Sequence, residues 1–245
     1  MVGHNAITLF WTHLDLPEKT IRQLAGLLTE EETTRADRFV FPHLKRRFIA
    51  AHGVLRQILH HYTGLLPDKI DFCVTDRGKP ELRNGSDNTR VCFNMSHSHD
   101  VALYGLGRDC HIGVDIERIR PLAGMEAIAA RNYTAKEVAV LRGLPEDRRN
   151  EAFFTFWTLK ESCLKATGKG LSDLRKIEIG EIPVPADKVR MVRQDAAGAA
   201  WSLYSLPVVS GYAAALAVEK TLAVMPCRRW IVEGVSGGRG LPSSP

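Results

Sequence analysis

A chain of 245 residues, 44% hydrophobic and 25% charged, has material for one large or two smaller soluble domains with a true core. No stretch approaches the roughly 20 apolar residues that a membrane span requires, and the first 20 residues lack a basic segment leading into an apolar one, so no secretory signal is expected. The formal charge of +5 favours an acidic or phosphate-rich partner; a nucleic-acid-binding module is a remote alternative at so small an excess.

In chain order, hydrophobic periodicity predicts a strand at Ala6–His13, helices at Glu18–Leu28 and Thr29–Phe39, and a long helix from Lys45 to Tyr62 stopped by Gly64 and Pro67. Short strands follow at Ile70–Thr75, Val91–Ser96 and Val101–Gly107. The order then recurs: a strand at His111–Arg118, helices at Gly124–Arg131, Thr134–Leu141 and Arg148–Thr167, and strands at Lys176–Ile179, Arg190–Arg193, Ala200–Leu206 and Gly211–Val218. The fold class expected is therefore α+β, with two similar halves, 1–110 and 111–228, each a long helix on a small, mostly antiparallel sheet. Residues 229–245, rich in Gly, Ser and Pro, read as a flexible tail. Five cysteines, odd in number and never in C-x-x-C spacing, argue against a disulfide framework or zinc knuckle and for a reducing, cytoplasmic setting.

Three stretches carry polar residues that are candidates for a site; the alternatives are a polar turn at 93–100 and a solvent-facing strand edge at Asp115 and Glu117. The helix 151-EAFFTFWTLKESCLKATGKGL-171 is apolar on nearly every side, yet holds Lys160, Glu161 and Lys165. A helix apolar all round is buried, and buried charges must be paired or bind ions, so these charges are expected to line a cleft. In 112-IGVDIERIR-120, Asp115 and Glu117 are two apart and share one strand face, where a cation between them, Mg²⁺ rather than Ca²⁺, would relieve their repulsion. In 93-FNMSHSHD-100, Asn, Ser and His stand where a strand gives way to a loop; His97 and His99 lack further ligands at zinc spacing.

Together the stretches resemble the 4′-phosphopantetheinyl transferases, in particular their larger, surfactin-type members. The elements are Asn94-Met95-Ser96-His97-Ser98, Gly113-Val114-Asp115-Ile116-Glu117, and Trp157 through Lys165, in family order and spacing, with the Gly78-Lys79-Pro80 turn and Lys45-Arg46-Arg47 extending the likeness. The resemblance implies a pseudo-twofold α+β monomer with coenzyme A between its halves. The expected reaction is Mg²⁺-dependent (Mn²⁺ possible in its place) transfer of phosphopantetheine from coenzyme A to a serine of an apo acyl or peptidyl carrier protein with an acidic surface. A Mg²⁺-dependent phosphohydrolase acting on coenzyme A or a nucleotide is the alternative; neither nucleic acid nor membrane is expected.

The resemblance also implies roles. Asp115, Glu117 and Glu161 would hold the metal; Glu161, Lys165 and His97 would be catalytic. Arg46, Arg47, Gly78, Lys79, Pro80, Asn94, Ser96, His97, Lys160 and Lys165 would bind coenzyme A, with Arg47 and Arg46 on its 3′-phosphate. Glu137 is either a further acidic participant or a first-turn acid favoured by the helix dipole. Ala123, Met125 and Tyr133 are either carrier contacts or core.

Overall fold

The computed structural model describes residues 6–76, 78–83, 90–168, 170–179, 190–194, 200–219 and 223–232. β1 (Ala6–His13) leads into α1 (Glu18–Ala25), α2 (Glu30–Asp37) and the 22-residue α3 (Pro42–Thr63). After β2 (Phe72–Val74) and β3 (Pro80–Leu82) come β4 (Val91–Ser98) and β5 (Val101–Arg108). β6 (Ile112–Arg118) opens the second round, followed by α4 (Met125–Asn132), α5 (Ala135–Gly143) and α6 (Glu146–Thr167), again 22 residues. β7 (Arg190–Gln194), β8 (Ala200–Ser205) and β9 (Tyr212–Glu219) complete it, and β10 (Ala223–Val224) and β11 (Arg228–Arg229) end the described chain.

The two halves repeat. In the first sheet β1 pairs antiparallel with β5 and β5 with β4; in the second β6 pairs with β9 and β9 with β8. Both long helices stop at a glycine in the left-handed region, Gly64 at φ 72° and Gly168 at φ 67°, a conformation that costs glycine no Cβ clash. Both middle helices begin with a reciprocal capping box, Thr29–Glu32 in α2 and Thr134–Glu137 in α5, each satisfying backbone N–H groups that the helix start leaves without partners.

Period-two alternation places the sheets face to face between the helices. Val101 and Leu103 of β5 join Ile7 and Leu9 of β1, Ile112, Val114 and Ile116 of β6, and Ala214, Leu216 and Val218 of β9 in the layer between the sheets. The opposite face of β5, through Ala102, Tyr104 and Leu106, packs on α3. The opposite face of β9 is Ala213, Ala215 and Ala217, and it packs on α6. The order is thus helix, sheet, sheet, helix.

Two expectations are corrected. No strand forms over Lys176–Ile179: a 3-10 helix runs from Leu171 to Lys176, and the carbonyls of Leu174 and Ile177 and the N–H of Ile179 bond to side chains rather than to a sheet ladder. Residues 229–232 are not a free tail. β10 and β11 pair parallel with β1, so the last described residues return to the first half. The Trp230 N–H donates to Trp11 O at 2.7 Å and its ring meets Phe10 edge-on at 5.1 Å. The remainder of the expected tail, 233–245, lies outside the described residues.

Candidate active site

The site forms where edge strands of the two sheets meet. β4 borders the first sheet and β6 the second, and side chains bridge them. Asn94, Ser96 and Ser98 alternate along β4 and face β6 together. Asn94 Oδ1 accepts the Val114 N–H at 2.8 Å, Ser96 Oγ donates to Asp115 Oδ1 at 2.8 Å, and Ser98 Oγ donates to Glu117 Oε2 at 2.7 Å while accepting the Arg118 N–H at 3.2 Å. Asn94 and Ser96 were expected to bind a ligand; here they join the halves and orient the carboxylates. Ser98 was missed, although the same alternation that places Ser96 places it.

Above β6 lies α6, and its approach is set by absent side chains. A Cβ on Gly113 would stand 2.0 Å from Ser162 O and 2.4 Å from Ala166 N. Gly113 and the alanine face of β9 therefore let the helix backbone down onto the sheet, bringing Glu161 and Lys165 over the β6 face that carries Asp115 and Glu117. Lys165 Nζ donates to Asp115 Oδ1 at 2.7 Å and to Ser96 Oγ at 2.9 Å.

One ammonium does not balance three carboxylates. Asp115 is 4% exposed, and its Oδ2 is buried with no hydrogen-bond partner. Burial raises the pKa of Asp115 against the pull of Lys165. Burial, then the negative charge of Asp115, raises Glu117 despite its bond from Ser98. Burial, then Asp115 and Glu117, lifts Glu161 to about 7 against Lys165. A buried carboxylate oxygen without a donor is costly, and like charges crowded together raise one another's pKa. This donor set, oxygens only, suits a hard divalent cation. Among the described residues no three acidic, His or Cys side chains already converge as a metal cage, and Lys165 holds one Asp115 oxygen, so such an ion would draw further ligands from substrate and water.

A groove of about 270 Å³ opens beside these groups, lined by Gly78, Lys79, Pro80, Asn94, Met95, Leu164, Lys165 and Gly168. It unites the expected turn with the expected helix. Gly78, at φ 77°, turns the chain so that Lys79 reaches across the junction to donate to Ile112 O at 2.7 Å; burial lowers the Lys79 pKa. His97 points to the other face of β4 and is exposed. Its partial desolvation and the nearby charges of His52, Lys165 and Arg35 lower its pKa. Arg35 and His52 were not anticipated; they come from α2 and α3, and only the tertiary structure brings them to β4.

Expectations for Lys160, Arg46 and Arg47 are corrected, and the alternatives left open for Glu137 and Tyr133 are decided. Lys160 does not face the groove: it is 0% exposed, its Nζ lying 2.7 Å from Glu137 Oε2 and donating to Leu174 O and Ile177 O. Glu137 likewise is structural, capping α5 and accepting the Ile179 N–H at 2.7 Å. Arg46 and Arg47 do not line the groove either. Arg46 pairs with Glu18 and Leu16 O, and Arg47 grips Asp15 with two bonds of 2.8 and 2.7 Å, because the first turns of α3 lie against the β1–α1 connection. Tyr133 is core, its hydroxyl donating to Phe153 O.

Two family models match the chain: the 4′-phosphopantetheinyl transferase superfamily over residues 111–217, and the N-terminal part of a 4′-phosphopantetheinyl transferase over residues 16–105. The 4′-phosphopantetheinyl transferase HetI of Nostoc sp. is 39% identical over 205 residues, 84% of each chain. The transferase psf-1 of Bacillus pumilus is 36% identical over 154 residues, 63% of this chain and 64% of that protein. An L-aminoadipate-semialdehyde dehydrogenase-phosphopantetheinyl transferase of Xenopus laevis is 32% identical over 170 residues, 65% of this chain and 56% of that protein. Among solved structures, a holo-(acyl-carrier-protein) synthase of Bacillus anthracis in complex with CoA (3′,5′-ADP) aligns at a TM-score of 0.30 and 24% identity, over 44% of this chain and 94% of that one.

Proposed function

The chain belongs to the 4′-phosphopantetheinyl transferase family, and from that premise we propose that its cleft takes coenzyme A, with a divalent cation, and transfers the phosphopantetheine arm to a serine of an apo carrier protein, in the manner of the large surfactin-type members. The observation that carries this reading is the buried, partnerless Asp115 Oδ2 beside Glu117 and Glu161, bonded through its other oxygen to Lys165, which lines the groove. Mg²⁺ or Mn²⁺ held by Asp115, Glu117 and Glu161 would neutralise the diphosphate of coenzyme A as its bridging P–O bond breaks.

The chain's own groups perform the rest. The Lys79 turn receives the nucleotide end of coenzyme A in the groove. Glu161, lifted to about 7 in the metal-free site and lowered again by a bound cation, accepts the serine proton directly or through water. Lys165 lies beside Asp115 and supplies positive charge where adenosine 3′,5′-bisphosphate departs, and His97, kept neutral near pH 7 by desolvation and by the charges of His52, Lys165 and Arg35, offers the diphosphate a ring N–H. Phosphoryl transfer depends mainly on such positioning and electrostatics. The basic net charge of +5 suits an acidic carrier surface. The domain reading follows: 1–110 for the nucleotide, 111–228 for the metal and the carrier.

The test is incubation of the protein with coenzyme A, Mg²⁺ and a panel of apo carrier proteins, followed by intact-mass measurement. Gain of one phosphopantetheinyl group on a carrier, abolished by serine replacement in the carrier, is expected. Coenzyme A cleavage without any carrier would instead favour the phosphohydrolase.

A further inference from the structure

Cys92 and Cys110 are used by none of the chemistry above, yet they stand together behind the groove. Cys92 lies near the start of β4, opposite Gly107 of β5. Cys110 lies in the β5–β6 turn, where a Cβ on Gly107 would come within 2.6 Å of its sulfur. Only a glycine there leaves room for that sulfur beside the strand pair. Both cysteines thus border Gly107, and the Cys92 thiol also donates to Arg90 O at 3.7 Å. They line one small cavity of about 20 Å³ with Lys79, Arg90 and His111, and both are half-buried.

The remaining cysteines are placed differently: Cys163 is buried in α6, Cys73 bonds to Glu81 O, and burial raises the thiol of Cys227. The neighbouring Cys110, opposed by burial and aided by the charges of Arg90 and Lys79, lowers the Cys92 thiol to about 6. Cys110 is pushed up, chiefly by Cys92. One sulfur is thus the better nucleophile and the other keeps its proton, the division of labour that peroxide-sensitive thiol pairs require.

We propose that Cys92 and Cys110 form a reversible disulfide on exposure to a hydroperoxide, and that this bond unseats the Lys79 turn. The Cys92 sulfur attacks the O–O bond, forming S–O and releasing the distal oxygen as water or an alcohol; the peroxide is reduced and Cys92 becomes a sulfenic acid. The Cys110 sulfur then attacks the Cys92 sulfur, the S–S bond forms, and the hydroxyl leaves with the Cys110 proton as water. Lys79 and Pro80 line both the thiol cavity and the groove, and Lys79 is seated on Ile112 O, two residues beyond Cys110. Drawing Cys110 toward β4 shifts that carbonyl and weakens coenzyme A binding about tenfold, the scale of one hydrogen bond to a charged group.

The effect on coenzyme A rests on the function proposed above; the pairing of the thiols does not. The full chain is treated with hydrogen peroxide, digested without reductant and mapped by mass spectrometry, and its affinity for coenzyme A is measured before oxidation, after it, and after dithiothreitol. A Cys92–Cys110 cross-linked peptide, about tenfold weaker binding and recovery on reduction are expected. Cys92→Ser and Cys110→Ser should bind coenzyme A as the reduced protein does and not respond to peroxide. Unpaired thiols, a Cys92 sulfinate without the cross-link, or a cross-link that leaves affinity unchanged would overturn the proposal. Reduced protein that does not bind coenzyme A at all would refute the transferase reading and leave the mapped pairing standing.

Discussion

Glu137 and Lys160 form an ion pair of 2.7 Å sealed inside the second half, and Glu32 and Arg56 form its counterpart of 2.8 Å in the first. Each acid is the third residue of a capping box, Thr29–Glu32 and Thr134–Glu137. Each cation comes from the long helix and also donates to two carbonyls just beyond it, Pro67 and Ile70 in one half and Leu174 and Ile177 in the other. The two halves thus share a buried polar clamp as well as an order of elements, and Lys160 is the second-half equivalent of Arg56.

Breaking one partner of a buried pair strands the other, at a cost of about 3–5 kcal/mol. Lys160→Met and Glu137→Leu should each lower unfolding stability by about that amount in urea titrations. The double variant should recover most of the loss, and coenzyme A affinity at permissive temperature should change little. A Lys160 variant of normal stability with lost coenzyme A binding would restore Lys160 to the groove.

Gly113→Ala places a methyl group 2.0 Å from Ser162 O. The backbone of α6 must lift, carrying Glu161 and Lys165 away from Asp115. Transfer should fall below a hundredth of normal, with a lower melting temperature, in line with the large costs of overpacking a close contact. Unchanged activity would mean that the helix approach is not needed for catalysis.

Lys165→Met removes the cation that holds Asp115 Oδ1. Loss of one preorganised charge at a reacting centre costs about 10²–10³ in kcat, and steady-state transfer assays should show that loss with KM for the carrier little changed. Mg²⁺ should raise the melting temperature of the protein, and Asp115→Asn should abolish that rise.

The pH dependence of stability has two arms. Glu161 rises from 4.5 to about 7 on folding, so it binds its proton more tightly folded. Its contribution is complete below pH 4.5 and fades as pH climbs towards 7. Burial would raise Glu32 too, but hydrogen bonds from His52 and Arg56 prevail and bring it to about 2. Its contribution is complete above pH 4.5 and is lost as pH falls towards 2. Melting temperatures of the metal-free protein across pH 2–8 should show both arms. Glu161→Gln should flatten the upper one, and Mg²⁺ should oppose it by favouring the ionised cluster.

The chain alone determined that there are two α+β halves, because periodicity and stop signals such as Gly64 and Pro67 are local properties. Burial showed only that Lys160, Glu161 and Lys165 need partners; that Asp115 and Glu117 are among those partners was implied by the resemblance of the three stretches to one family. Only the tertiary structure decided which charges face the cleft. Lys160 and Glu161 are adjacent in sequence, and about 100° of helical rotation separates a clamp residue from a site residue. Arg47 lost its expected place to Asp15, and Trp230 left the tail for Phe10, through contacts across long sequence distances. Periodicity says that a residue is buried; what it is buried against is fixed by packing.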